Sequence, residues 1–185
     1  MTIYTIYKKK IRMGKFYTAL GLMSGTSLDG VDVSIINSDG IRDYSLVLNK
    51  FYEYENELYE RITELRAKIV NSSDLKKYFN QIKSLEKEIT LFNAKVVNET
   101  LKLTKQKIDI IGFHGQTIFH DAKNSITKQL GDGRLLSQLT KTEIVYNFRQ
   151  NDLDNGGQGA PLTPIFHNLL ANKISKKFDI DFPIN

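Results

Sequence analysis

Between two runs of β-forming residues the chain reads Ser24-Gly25-Thr26-Ser27-Leu28-Asp29-Gly30-Val31-Asp32. A hairpin needs only about two turn residues, so this stretch carries surplus hydroxyls, glycines and carboxylates. Gly25 and Gly30 permit tight bends and let a ligand approach the backbone amides. Successive N–H groups in such a bend make a concave anion site. Thr26 and Ser27 add hydroxyl donors, and Asp29 and Asp32 suit a metal ion, or a water of its shell, beside phosphate oxygens. A hairpin decorated with Asx-type turn bonds uses the same residue types. The stretch is not a Walker A loop, because Gly-Lys-Ser/Thr is absent.

Two further clusters carry chemistry. His114-Gly115-Gln116-Thr117 follows an apolar run. His114 can donate to an anionic or hydroxylated ligand, or bond a neighbouring carbonyl; Gln116 supplies both donor and acceptor. The richest stretch is Phe148-Arg149-Gln150-Asn151-Asp152-Leu153-Asp154-Asn155-Gly156-Gly157-Gln158-Gly159-Ala160-Pro161-Leu162. Flexible backbone before a helix start suits an anion. A carboxylate there suits a general base facing a hydroxyl or water, and either Asp152 or Asp154 also suits an N-cap. His120 and His167 have no partner at metal-ligand spacing and receive no role.

The elements that must position these clusters follow from periodicity. Phe16 to Met23, Val31 to Asn37 and Tyr44 to Tyr54 read as three strands of an antiparallel meander. From Asn56 to Thr104 apolar residues recur at helical spacing, broken at Asn71-Ser72-Ser73-Asp74, which predicts two helices. Ile108 to Phe113 is a buried-strand run ending at His114. Ile126 to Leu130 and Glu143 to Tyr146 read as strands, and Arg134 to Thr140 as a short helix after Gly131-Asp132-Gly133. Asn147 to Gln158 reads as a polar loop, and Pro161 opens a last helix to about Lys173. Polar clusters thus lie where strands stop, the usual ligand position in α/β sheets.

Composition narrows the class. The 185 residues are 41% hydrophobic, enough for a soluble domain with a core. No apolar run approaches the roughly 20 residues that span a bilayer. The absence of cysteine excludes disulfides and thiolate chemistry and fits the cytoplasm. A net charge of +5 raises nucleic-acid binding, but the lysines are dispersed and read as solvated surface. Residues 1–14 read as an extension, 15–175 as one domain and 176–185 as a tail.

Three segments, in order, resemble the anhydro-N-acetylmuramic acid kinase family: GLMSGTSLDGVDV, then IGFHGQTIFH with QLGDGRLLSQLT, then FRQNDLDNGGQGAPLTPIFH. The resemblance runs from Phe16 to about Leu170. It implies a ribonuclease H-like, actin-like ATPase fold: a mixed sheet with an N-terminal antiparallel meander, flanking helices and a second domain closing over ATP. It makes Gly25, Thr26, Ser27, Leu28, Asp29, Gly30, Val31 and Asp32 the first phosphate loop. Met23 stands where many superfamily members have Asp, which leaves contact with hydrated magnesium to Asp29 or Asp32.

The family opens the internal ether of 1,6-anhydro-N-acetylmuramic acid with water at C1 while O6 takes the γ-phosphoryl group of ATP. By its place in the Phe-Arg-x-x-Asp-x-x-x-Gly-Gly pattern, Asp152 is the base for that water, and Asp154 is a turn residue. The resemblance makes His114, Gln116, Thr117, Asp132, Arg149 and Gln158 contacts of the sugar or its lactyl carboxylate. Arg149 is the best carboxylate partner by chemistry, or a brace of its loop. Family members are longer, with a second domain that carries the remaining phosphate loop and adenosine pocket. Three expectations follow: an enzyme completed by a separately encoded C-terminal half or by a homodimer, an inactive truncated remnant, or a noncatalytic module that binds sugar or nucleotide. The exposed inter-domain face is expected to be apolar.

Overall fold

The computed structural model describes residues 15–178. The expected N-terminal extension and most of the expected tail lie outside the described residues. Alternating apolar residues build the meander: β1 (Tyr17–Ser24), β2 (Gly30–Ser38) and β3 (Tyr44–Glu53) pair antiparallel in sequence order. One face of β1 and β2 is fully buried through Leu20, Leu22, Val31, Val33 and Ile35. The chain then crosses through α1 (Asn56–Lys68), α2 (Ser72–Lys77) and α3 (Phe79–Leu103) and returns as β4 (Ile110–Asp121), parallel to β1. β5 (Ile126–Leu130) pairs antiparallel with the second half of β4, and β6 (Ile144–Val145) pairs parallel with its start. The order is β3-β2-β1-β4-β5, with β6 beside β4. The expected mixed α/β architecture, meander and flanking helices are all present.

α1 buries Ile62 and Leu65, and α3 buries Ile82, Leu85, Ile89, Val96 and Val97 in the same core. These are the helical-spacing residues that define the two elements. Three helices stand where two were expected. Asn71 caps α2 through Ser73 N–H, with Asp74 completing a capping box, and Tyr78 leaves helical geometry before α3 begins. No glycine or proline marks that break, so it leaves no trace in the pattern. Buried Glu86 of α3 ties the helix to the sheet, accepting from Lys83 and Lys128 Nζ at 2.6 Å each.

Two other expectations change. β4 does not stop at Phe113. Its register against β1 passes from Leu22↔Phe113 to Ser24↔Gln116, so two residues oppose Met23. Gly115 absorbs the extra residue at φ 71, a bulge that keeps the strand paired while turning it. His114 to Thr117 are therefore strand residues beside a bulge rather than a loop. Likewise Asn147 to Gln158 is only partly a loop, because Phe148–Asp154 forms a short helix, α5. After α4 (Gly133–Thr140), β6 and α5, the chain ends its described part in α6 (Leu162–Phe178), longer than the expected stop at Lys173.

α5 and α6 stand on the sheet face opposite α3. Phe148 lies over Gly112. The Phe166 ring of α6 meets Tyr44 of β3 in a tilted contact with centroids 5.3 Å apart, and Lys173 donates to the Tyr44 carbonyl at 2.8 Å. Ile165, Leu162 and Ile174 of α6 remain exposed, as do Leu46 and Phe51 of β3. Among the described residues no helix is long and apolar enough to cross a membrane.

Candidate active site

The stretch expected as a loop, Gly25 to Asp32, is a bend only as far as Asp29, because Gly30 to Asp32 already pair within β2, and the bend is held from three sides. Arg66 at the end of α1 donates to the Thr26 carbonyl at 2.9 Å. Gln116 Nε2 donates to the Gly25 carbonyl at 2.9 Å. Tyr54 N–H donates to the Asp29 carbonyl, and the Tyr54 hydroxyl bonds that of Ser24 at 3.0 Å. Burial pushes the Tyr54 phenol up to about 12, opposed by the Ser24 bond and reinforced by the charge of Asp29. It is therefore a permanent hydroxyl at neutral pH. Leu28 adopts φ 63 with its side chain buried, an uncommon left-handed conformation for a leucine. Ser27 Oγ donates to Asp29 Oδ1 at 2.5 Å. A Cβ on Gly30 would collide with the Tyr52 carbonyl, so only glycine lets β3 close against the loop. This is a bend made rigid by Arg66 of α1, Gln116 of β4 and Tyr54 just after β3.

On the other face a continuous set of bonds joins β4 to the glycine-rich segment. His114 Nδ1 donates to the Gly115 carbonyl at 2.6 Å, which leaves Nε2 to accept from Arg149 Nε at 2.9 Å. Burial holds His114 below its ordinary 6.5, opposed by the Gly115 bond and reinforced by the charge of Arg149. Arg149 Nη1 donates to the Gly159 carbonyl at 2.8 Å, and Gly159 N–H donates to Asp152 Oδ2 at 2.7 Å. The Asp152 carboxylate lies flat against Gly157, where any Cβ would overlap it. Gly157 N–H also donates to the Asp152 carbonyl. Asp154 is exposed and accepts from Gln150.

Because His114 must be neutral to accept from Arg149, acid should loosen this assembly. A histidine with a depressed folded value contributes stability above its unfolded value of about 6.5 and loses it as pH falls through the folded one. The unfolding free energy should hold steady above about pH 6.5 and drop as pH falls, with a slope of at most about 1.4 kcal/mol per pH unit from this group. His114→Gln should flatten that part of the profile, as urea titrations from pH 5 to 8 would read.

A cleft of about 410 Å³ opens beside this assembly. Met23, two residues before Gly25, forms part of its lining with Phe148 and Phe166, and Arg149, His114, Thr163 and His167 supply its polar groups. Of the residues singled out in the sequence, His114, Arg149 and Asp152 are thus brought together. Gln158 contributes its carbonyl, which accepts from His120 Nε2 at 3.1 Å, while its side chain is exposed. Gln116 and Asp132 stand apart from them. Gln116 is fully buried on the α3 side, level with Ser24. Asp132 caps α4 through Arg134 and Leu135 N–H, and its own N–H bonds Thr90 of α3. Thr117 accepts from Gln129 of β5.

The model of one protein family, anhydro-N-acetylmuramic acid kinase, matches residues 17–179. The chain belongs to the anhydro-N-acetylmuramic acid kinase family. It is 57% identical over 161 residues to a protein of that name from Pelagibacter ubique, covering 87% of this chain and 43% of the relative. Relatives from Rhizobium etli and Agrobacterium fabrum, of the same name, are 39% and 34% identical, with 44% and 46% of their lengths covered. The chain therefore spans less than half the length of these curated relatives.

The match takes in every polar cluster described above, and the structure adds residues to which the sequence gave no role. His120 bonds both Thr127 of β5 and the Gln158 carbonyl, and its ring fills the space beside Gly159. A search for metal-ligand spacing passes over it, because its role is to brace a loop. Arg66 sits in a solvated, charge-rich helix where nothing in the local pattern sets it apart from its neighbours. Thr163 and His167 became visible only once α6 was seen to wall the cleft.

Proposed function

We propose that this chain supplies the phosphate-loop and sugar-side half of an ATP-dependent kinase. The reaction is phosphorylation of 1,6-anhydro-N-acetylmuramic acid with hydrolytic opening of its 1,6-bridge, giving N-acetylmuramic acid 6-phosphate. The observation that carries this reading is the Asp152 carboxylate, seated on Gly157 and fixed by the N–H of Gly159, whose carbonyl accepts from Arg149 of the cleft lining. A carboxylate so oriented keeps one oxygen free of that amide bond and suits proton abstraction from a water.

In this reading water attacks C1, the C1–O6 bond breaks, O6 takes the γ-phosphoryl group, and Asp152 keeps the proton of the water. No hydroxyl of the sugar needs deprotonation, because O6 carries no proton. The loop amides from Gly25 to Val31 cradle the phosphates, and Arg66 and Gln116 hold them in place through backbone carbonyls. Among the described residues no cluster of three His, Asp or Glu is present. Asp29 and Asp32 are both exposed, and either suits a magnesium ion held mainly by phosphates and water as its one protein contact. When bound, magnesium neutralises charge on the transferring group.

Because the chain covers under half of its relatives, the adenosine pocket belongs in this reading to a C-terminal half or to a second copy of the chain. The same observation favours one other reading, a noncatalytic module that binds the sugar or nucleotide in the cytoplasm without turnover. One assay separates them. Incubating the chain with ATP, magnesium and the anhydro sugar should give the 6-phosphate once the C-terminal half of a relative is added. Sugar binding with no product under any complementation would support the module, and neither binding nor product would end both readings.

A further inference from the structure

The polar groups of the cleft are unevenly engaged. His114 uses both ring nitrogens, one on Gly115 and one on Arg149. Arg149 uses Nε on His114 and Nη1 on the Gly159 carbonyl, so much of its donor capacity braces the loop. Across the cleft, α6 presents Thr163 and His167, four residues apart and therefore on one helix face. Neither side chain makes a hydrogen bond or ion pair among the described residues. No acidic side chain lines the cleft, and the rest of the lining is apolar. Its volume suits a small ligand of the size of one modified sugar.

A site with a guanidinium fixed by its own bonds, two free donors and no carboxylate selects an anion. We propose that Thr163 and His167 are specificity-determining residues that receive the lactyl carboxylate of the sugar, with Arg149 supplying charge from the opposite wall. This rests on the kinase reading above for the identity of the sugar. It moves carboxylate recognition away from Arg149, whose geometry is that of a brace, to a helix that received no role from the sequence.

The test compares two sugars by calorimetry on the chain: 1,6-anhydro-N-acetylmuramic acid and 1,6-anhydro-N-acetylglucosamine, which lacks only the lactyl ether. The wild-type chain should prefer the acid by about tenfold or more, the size of a charge-assisted hydrogen bond. His167→Ala should weaken the acid about tenfold and leave the neutral sugar unchanged. Thr163→Val, nearly the same shape, should do the same more mildly. Both positions are exposed, so melting temperatures should not move. Equal weakening of both sugars, or no weakening of either, overturns the proposal while leaving the kinase reading intact. Failure of the wild-type chain to bind either sugar removes the sugar reading itself, and this proposal with it.

Discussion

Asp152→Asn is expected to lower phosphoryl transfer by at least about 10²-fold, the usual lower contribution of a general base. The substitution is nearly isosteric. An asparagine oxygen can still accept from Gly159 N–H, and the flat seat against Gly157 admits an amide as readily as a carboxylate. What disappears is proton affinity, so Kd for the sugar and the melting temperature should be preserved while turnover falls. The measurement is kcat of the enzyme assembled from this chain and the remaining half of a relative. Turnover equal to wild type would remove Asp152 from the chemistry and leave it as a loop anchor.

Gly115→Ala should destabilise the fold by about 3 kcal/mol, combining a left-handed conformation costing about 1 kcal/mol with overpacking costing about 1–3 kcal/mol. Gly115 sits at φ 71, and an added Cβ would collide with the Leu130 carbonyl of β5. Backbone cannot swing aside as a flexible side chain can, so the bulge or the β4–β5 pairing must give. That bulge sends His114 to the cleft face and Gln116 to the α3 face. Loss of the bulge therefore affects both the Arg149 assembly and the Gly25 tether. Urea unfolding would read the loss of stability. A change under about 0.5 kcal/mol would mean that the bulge relaxes without cost.

Much of the fold was legible because burial imposes periodicity. β1 and β2 lie within a residue of where alternation put them, since each buries one face, and β3 and β5 lie as close to where their β-forming residue types put them. The α1 and α3 stripes were legible for the same reason. What misled was polarity: His114 to Thr117 read as the end of the strand because three of the four residues are polar, yet the strand runs on through a bulge at His114 and Gly115, and Gln116 and Thr117 pair with β5. Strand pairing is satisfied by the partner's backbone, and a single-chain pattern does not contain the partner.

The candidate site divides along the same line. Local sequence determined which segments carry chemistry: the hydroxyl-rich bend at Thr26 and the glycines after Asp152 are written in residue type, because close approach and backbone freedom need particular side chains or none. Tertiary structure decided which of them meet. It put His114 with Arg149, tied Gln116 to the Gly25 carbonyl, gave Asp132 to the start of α4, and brought Thr163 and His167 of α6 to the cleft. These pairings depend on a one-residue bulge and on the path of a helix across a sheet. Both are set by packing between segments far apart in the chain, which no local pattern encodes.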